Sequence, residues 1–338
     1  MQKLPEATQQ ALKLASCFGN RFDLSVLSTI NEKSPEATTQ DLWAAILAGL
    51  LMTIAETEDL EKTYRFRHDR IQQAAYSLIP DAQKQAVHLK IGRLILKNTP
   101  PEQLEDTLFD IVNQLNIGIA LISDRTEQEA LIKLNLAAAK KAKAAIAYTP
   151  ALKYLNAATQ LLSANAWETA YAQTFTLFRE RAECEYLTGD LAQADALFQV
   201  LLSNAQSNLD RANVYRLQLR LYQIAGKYEE ALTLGLNALK LFDLTFPDTE
   251  AEAQQAVEEI RNQIASHLGD RQISDLLNAP VVQDPTLRTI INLLTTASPP
   301  AYLSHPSLFL LLVLSAVNYS LQYGNTEDSC FAYSMYAM

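Results

Sequence analysis

Glycine is scarce in this sequence, with nine in 338 residues against a usual share of roughly 7%. Such a chain, rich in Ala, Leu and Gln, argues for helices and against sandwiches, barrels and other many-turn sheets. It also leaves few glycines for phosphate-binding loops. A P-loop needs Gly-x-x-x-x-Gly-Lys-Ser/Thr so that backbone amides cradle phosphate. The single Gly-Lys pair, Gly226-Lys227, has Leu221 five residues before it and Tyr228 after it. No GxGxxG, GxSxG or H-E-x-x-H is present. Cys17, Cys184 and Cys330 are an odd, widely spaced set that builds neither a disulfide framework nor a zinc site. They predict a cytoplasmic chain in which each thiol is a small buried apolar group. His68, His88, His267 and His305 lack metal-ligand spacing, so no metal is expected. Long apolar runs are missing too. Residues 1–10 carry no signal-peptide hydrophobic region, and the most apolar run, 308–317, falls short of the about 20 residues a bilayer requires. Pro306 just before it predicts the start of a buried helix.

What charge there is, is uneven. Residues 1–97 are net +1 and residues 98–338 net −11. An acidic second region argues against nucleic acid and anionic membrane as its partners. The boundary coincides with Asn98-Thr99-Pro100-Pro101, which predicts a first domain over 1–97 and a second over 98–338. In the first, apolar residues at Ala11, Leu12, Leu14, Ala15 and Phe18 form a helical stripe. A short helix is expected over 24–30. A third, capped by Thr38 or Thr39, should run to about 50 with Leu42, Trp43, Ile46, Leu47 and Leu50 on its apolar face. The period then changes to a strand at 51–54, a polar turn at 56–62 and a second strand at 64–68. Helices follow at 69–78 and 82–96. Three helices, a hairpin and further helices make a winged-helix layout. Its expected recognition helix holds no Lys or Arg, which argues against DNA as a partner.

The second region reads as helical throughout and carries a weak repeat. Gly189-Asp-Leu191-x-x-Ala194-x-x-x-Phe198 recurs 37 residues later as Gly226-Lys-Tyr228-x-x-Ala231-x-x-x-Gly235-x-x-Ala238. Degenerate copies start at Tyr148 and at Gly324. Gly ends one helix in a turn, an aromatic or Leu opens the next, and a small residue lets the pair approach closely. This is the tetratricopeptide signature. Thr249 and Glu252 form a capping box, Gly269 is a stop, and Pro247, Pro280, Pro285, Pro299, Pro300 and Pro306 mark loops.

His68-Asp69-Arg70 has the wrong order for the kinase catalytic loop, and neither a DFG nor the glycine boxes of a histidine kinase follow. The longer segment is distinctive. Tyr64-Arg-Phe-Arg-His-Asp-Arg-Ile-Gln-Gln-Ala-Ala-Tyr-Ser-Leu-Ile-Pro80, followed by His88-Leu-Lys-Ile-Gly-Arg-Leu-Ile-Leu96, resembles a large family of bacterial signalling proteins, cyanobacterial in type. Its members join a serine/threonine kinase domain, a STAND-type AAA ATPase, helical repeats, a GAF domain and often a histidine kinase. Leu14 to Leu24 resembles the start of that family's winged helix, and Trp167, 180–189, 226–238, 301–302 and 323–325 resemble its repeat region.

The resemblance implies a mainly α chain: a winged helix followed by a tetratricopeptide-like superhelix, an internal slice of a longer parent cut inside a repeat. It implies that His68 approaches the β-phosphate of ADP held by the parent's ATPase domain, with Asp69 as its support. The alternative reading of the pair is that His68 ends a strand and Asp69 caps the next helix. No cofactor is expected on this chain alone, ATP or ADP being implied for the parent. The implied partners are the parent's ATPase core and a protein bound on the repeats. The implied function is non-catalytic regulation within a multi-domain signal-transduction kinase. The alternatives are an ATP-binding kinase in its own right and a winged-helix transcription regulator.

Overall fold

The computed structural model describes residues 1, 3–54, 62–302 and 304–337, with backbone alone at 273, 274 and 277. Helix makes up 74% of the chain, and the sheet that is described has three strands, so the fold is mainly α. Two compact units divide between Ala164 and Asn165.

The first unit runs α1 (Glu6–Ser16), β1 (Arg21–Asp23), α2 (Leu24–Asn31), α3 (Pro35–Leu47), β2 (Leu51–Ile54), β3 (Thr63–Phe66), α4 (Asp69–Tyr76), α5 (Asp81–Asn98), α6 (Leu104–Ile117), α7 (Arg125–Ala144) and α8 (Tyr148–Gln160). The expected strand pair is there, with Leu51 opposite Phe66 and Ile54 opposite Thr63. The expected turn at 56–62 lies outside the described residues except for Lys62. Sequence reading missed β1, which pairs antiparallel on the other side of β3 with Phe22 opposite Tyr64. Three residues are too few for a period to show. The stripe on α1 is buried as its spacing requires, with Ala11, Leu12 and Ala15 fully covered.

Helix α3 differs from expectation in two ways. Ser34, not Thr38 or Thr39, caps it by accepting from Ala37 N, with Pro35 in the first turn. Its covered face is Thr38, Leu42 and Ala45, while Trp43 is 57% and Leu47 71% exposed. Trp43 and Leu47 lie one turn apart on the outer side.

The seam in charge at 97/98 does not coincide with the break in packing. Helix α6 pairs with α5, and Leu108 and Val112 join Ala138 in a small apolar cluster. Arg93 on α5 forks onto Glu127 of α7, with both nitrogen–oxygen distances at 2.7 Å. Net charge is a property of surfaces, whereas compactness follows buried apolar faces.

The second unit is built from α9 (Ala166–Thr169), α10 (Tyr171–Thr188), α11 (Leu191–Asn204), α12 (Asn208–Ile224), α13 (Tyr228–Lys240), α14 (Glu250–Leu268), α15 (Pro285–Ala301), α16 (Pro306–Tyr323) and α17 (Ser329–Tyr336). The repeat spacing marks real helix pairs, α10 with α11 and α12 with α13. Gly189 (φ 95°) and Gly226 (φ 74°) take the left-handed backbone between them. Ala194 and Ala231 are fully buried. The degenerate copy at Tyr148 has Ile146 (φ 61°) in this position. A β-branched side chain there is strained.

Two expected loop prolines, Pro299 and Pro300, instead lie inside α15. Lacking N–H groups, they leave the Thr295 and Thr296 carbonyls without their helical donors. Ser298 Oγ donates to Thr295 O at 3.0 Å. Gln223 Nε2, from α12, donates to Thr296 O at 2.8 Å. The helix tolerates its prolines because its neighbour supplies a donor. The run at 308–317 sits in α16, which by length and composition alone is long and apolar enough to cross a membrane. Here it packs against α14, α15 and α17, with Leu312, Val313, Leu314, Ala316 and Val317 at 1% exposure or less.

Candidate functional site

The corner between β3 and α4 carries the residues singled out in the sequence. Alternation along β3 buries Thr63, Tyr64 and Phe66 and leaves Arg65 outside. Phe22 stacks on Tyr64 with ring centroids 5.9 Å apart. The backbone then turns out of the sheet, held by Arg67 N donating to Leu50 O at 3.0 Å. His68 follows in extended conformation (φ −146°, ψ 149°) as the residue that caps α4. Its carbonyl accepts from Ile71 N at 2.9 Å, but its ring makes no capping bond. Asp69 is the first helical residue rather than the cap expected in one reading of the pair, and its side chain makes no capping bond either.

Arg67, His68, Asp69 and Arg70 are all exposed. They are brought together, and they sit at a helix N-terminus, where partial positive charge favours an anion. They do not line a closed cavity. One cavity of the first unit, of about 770 Å³, is bordered instead by Glu6, Ala7, Gln9, Gln10, Lys13, Asn31 and Lys33. The corner is tied to α1 from behind, because Gln72 Nε2 on α4 donates to Ser16 O at the end of α1 at 2.7 Å.

Sequence reasoning passed over His88 as a scattered histidine. It is 2% exposed. Its Nδ1–H donates to Gln114 Oε1 at 2.6 Å, and Gln114 Nε2 donates in turn to Cys17 O at 3.0 Å. That order fixes the tautomer and leaves Nε2 to accept from Tyr76 O–H at 2.9 Å. Burial holds the imidazole below its ordinary pKa, and therefore neutral at physiological pH. Burial also pushes the Cys17 thiol up to about 12. The chain of bonds ties α1, α4, α5 and α6 together. His88 and Tyr76 both lie in the distinctive 64–96 segment, the signal that could have found them. Among the described residues no group of three or more His, Cys, Asp or Glu is placed to hold a metal ion.

No family model matches the chain. Over an alignment of 413 residues it is 25% identical to the hybrid signal transduction histidine kinase G of Dictyostelium discoideum. That match takes in all of this chain but 12% of the relative, so the chain spans about an eighth of that protein's length. Among solved structures, a STAND protein with a tetratricopeptide repeat sensor from Pyrococcus horikoshii shares 13% identity at a TM-score of 0.28. The likeness covers 98% of this chain and 53% of that one.

Proposed function

We propose that this chain is a non-catalytic regulatory and protein-interaction segment of a cytoplasmic multi-domain signal-transduction kinase. In this reading residues 1–97 are a winged helix that gates a STAND-type ATPase, and residues 98–338 are a tetratricopeptide-like array that binds a protein partner. ADP belongs to the parent's ATPase domain, and serine/threonine and histidine kinase domains belong to the parent as well. The observation that carries the reading is the exposed corner at 67–70, tied to α1 behind it through Gln72. A histidine whose ring has no cap to make is free to donate to a phosphate presented by another domain. Arg67 and Arg70 beside it favour an anion, while Asp69 limits how many phosphate charges the corner accepts. These residues fit one side of a nucleotide site and need a second domain to complete it. The whole-chain similarity to a histidine kinase supports the signalling context.

Replacing His68 by Ala in the full-length parent should lower the ADP retained through purification by about tenfold, the worth of a charge-assisted hydrogen bond. Basal output should rise. Unchanged nucleotide content would overturn the gating role. ATP turnover above background by the chain itself would overturn the non-catalytic reading.

A further inference from the structure

We infer that the side-by-side helices α10, α12 and α15 carry a carboxylate-binding site built on Arg216 and Arg220, which takes an acidic segment of a partner protein. The inference rests on the partner-binding reading of the second unit and names the chemistry of that partner.

From residue 165 onward the chain has ten Lys and Arg against twenty Asp and Glu. In so acidic a unit an arginine can readily find a carboxylate, and several do. Arg261 pairs with Glu258, Arg288 with Glu327, Arg181 with Glu185 and Arg179 with Glu180. Arg216 does not. Half-buried on α12, its guanidinium makes one side-chain hydrogen bond among the described residues, from Nη1 to the neutral amide oxygen of Asn292 on α15 at 3.3 Å. The acid that offsets its charge, Asp328, is itself engaged by Asn292, whose Nδ2 donates to Asp328 Oδ2 at 2.8 Å. Arg220, one turn further on α12, is exposed and makes no ion pair or hydrogen bond among the described residues.

Residues four apart share a helix face, so the two guanidiniums project the same way. Burial, and then repulsion from Arg220 and from Arg179 of α10, lowers the Arg216 pKa. An arginine nonetheless stays charged, with five N–H donors in a planar fork. A half-buried cation kept for stability alone would be paired. This one holds most of its donors unengaged beside a second free guanidinium, the arrangement that receives a carboxylate through two parallel bonds. The acidic surroundings repel an extended polyanion such as nucleic acid more than a segment that brings one or two carboxylates to the arginines.

The test uses the full chain and the probe acetyl-Glu-Glu-amide, with inorganic phosphate as the second arm. The peptide should move the Nε–Hε resonances of Arg216 and Arg220 saturably. Arg216→Met should weaken its binding at least tenfold, and Arg220→Gln, an exposed change that leaves the fold intact, at least threefold. Without peptide, Arg216→Met should melt at the same temperature or higher, because a half-buried charge with no direct ion-pair partner is gone. Resonances that do not move, or binding retained in both variants, would overturn the site. A lower melting temperature with unaltered binding would assign Arg216 a structural role instead. Phosphate binding more tightly than the peptide would overturn the choice of carboxylate. Failure here with the His68 effect intact would leave the gating role standing, and failure of the His68 effect with peptide binding intact would leave this site standing.

Discussion

Both units bury apolar helix faces, and they differ in that a buried histidine enters the packing of the first. In the second, the helix pairs close through apolar side chains. Phe198, Leu201, Ala194 and Val214 are fully buried in one cluster, and Leu219, Leu293, Leu294 and Leu312 in the next. In the first, α1, α4, α5 and α6 meet around a buried polar chain running from Tyr76 through His88 and Gln114 to Cys17 O. Apolar packing is non-directional and insensitive to pH. A buried hydrogen-bond chain demands exact partners and a particular protonation state. The lesson is that acid should reach the first unit before the second.

The largest effect expected tests the apolar side of this contrast. Phe198→Ala should destabilise the second unit by about 3–5 kcal/mol, the range for a buried aromatic truncated to a cavity, at any pH between 5 and 8. Its counterpart in the next repeat, Gly235, sits where a Cβ would come within 2.7 Å of Ala297 Cβ, so Gly235→Phe should also unfold that region. Urea unfolding read by Trp167 fluorescence checks the first, and circular dichroism the second.

On the polar side, His88→Leu leaves Tyr76 O–H and Gln114 without their partner and should cost about 1–3 kcal/mol at pH 7. The sign with pH follows from the depressed folded pKa. Between that value and the ordinary 6.5, the unfolded chain binds the proton that the folded chain refuses. Stability held at neutral pH is therefore lost as pH falls below about 6.5, and rises with pH through that window. His88→Leu should flatten this slope. A slope unchanged in the variant would remove His88 as its source.

The smallest effect compares the same turn in the two units. Ile146 holds at φ 61° the place that Gly189 and Gly226 hold in the second unit. It is 73% exposed, so its side chain gives little in return. Ile146→Gly should stabilise the first unit by about 1 kcal/mol, and Gly189→Ala should destabilise the second by a similar amount. Thermal melting of the two variants measures both, and a loss of stability in Ile146→Gly would refute the strain.

Much of the backbone was legible. Periodic apolar spacing located α1, α2, α5 and the strand pair because helix and strand place side chains at fixed angles. Left-handed glycines located the turns at 189 and 226. The face of α3 was misjudged because hydrophobicity alone does not say which of two apolar sides finds a neighbour. Trp43 and Leu47 are as apolar as Leu42, yet the outer pair stays exposed. Pro299 and Pro300 read as loop residues in the sequence because the donor that rescues Thr296 O lies 73 residues earlier, on Gln223. At the candidate site, His68 and Asp69 were visible as a pair on a strand-to-helix corner. Their exposure was not, since burial of a corner residue depends on what packs against it.

The sequence by itself determined where α1, α2, α5 and the strand pair lie, where the repeat falls, and which catalytic motifs are missing, since these follow from local backbone preference and fixed spacing. Tertiary structure alone decided that His88 is neutral, that Arg216 meets an amide rather than a carboxylate, and that packing breaks at 164 rather than at 97. Each of these depends on groups brought together from distant parts of the chain, where burial and partners, not residue type, set the energy.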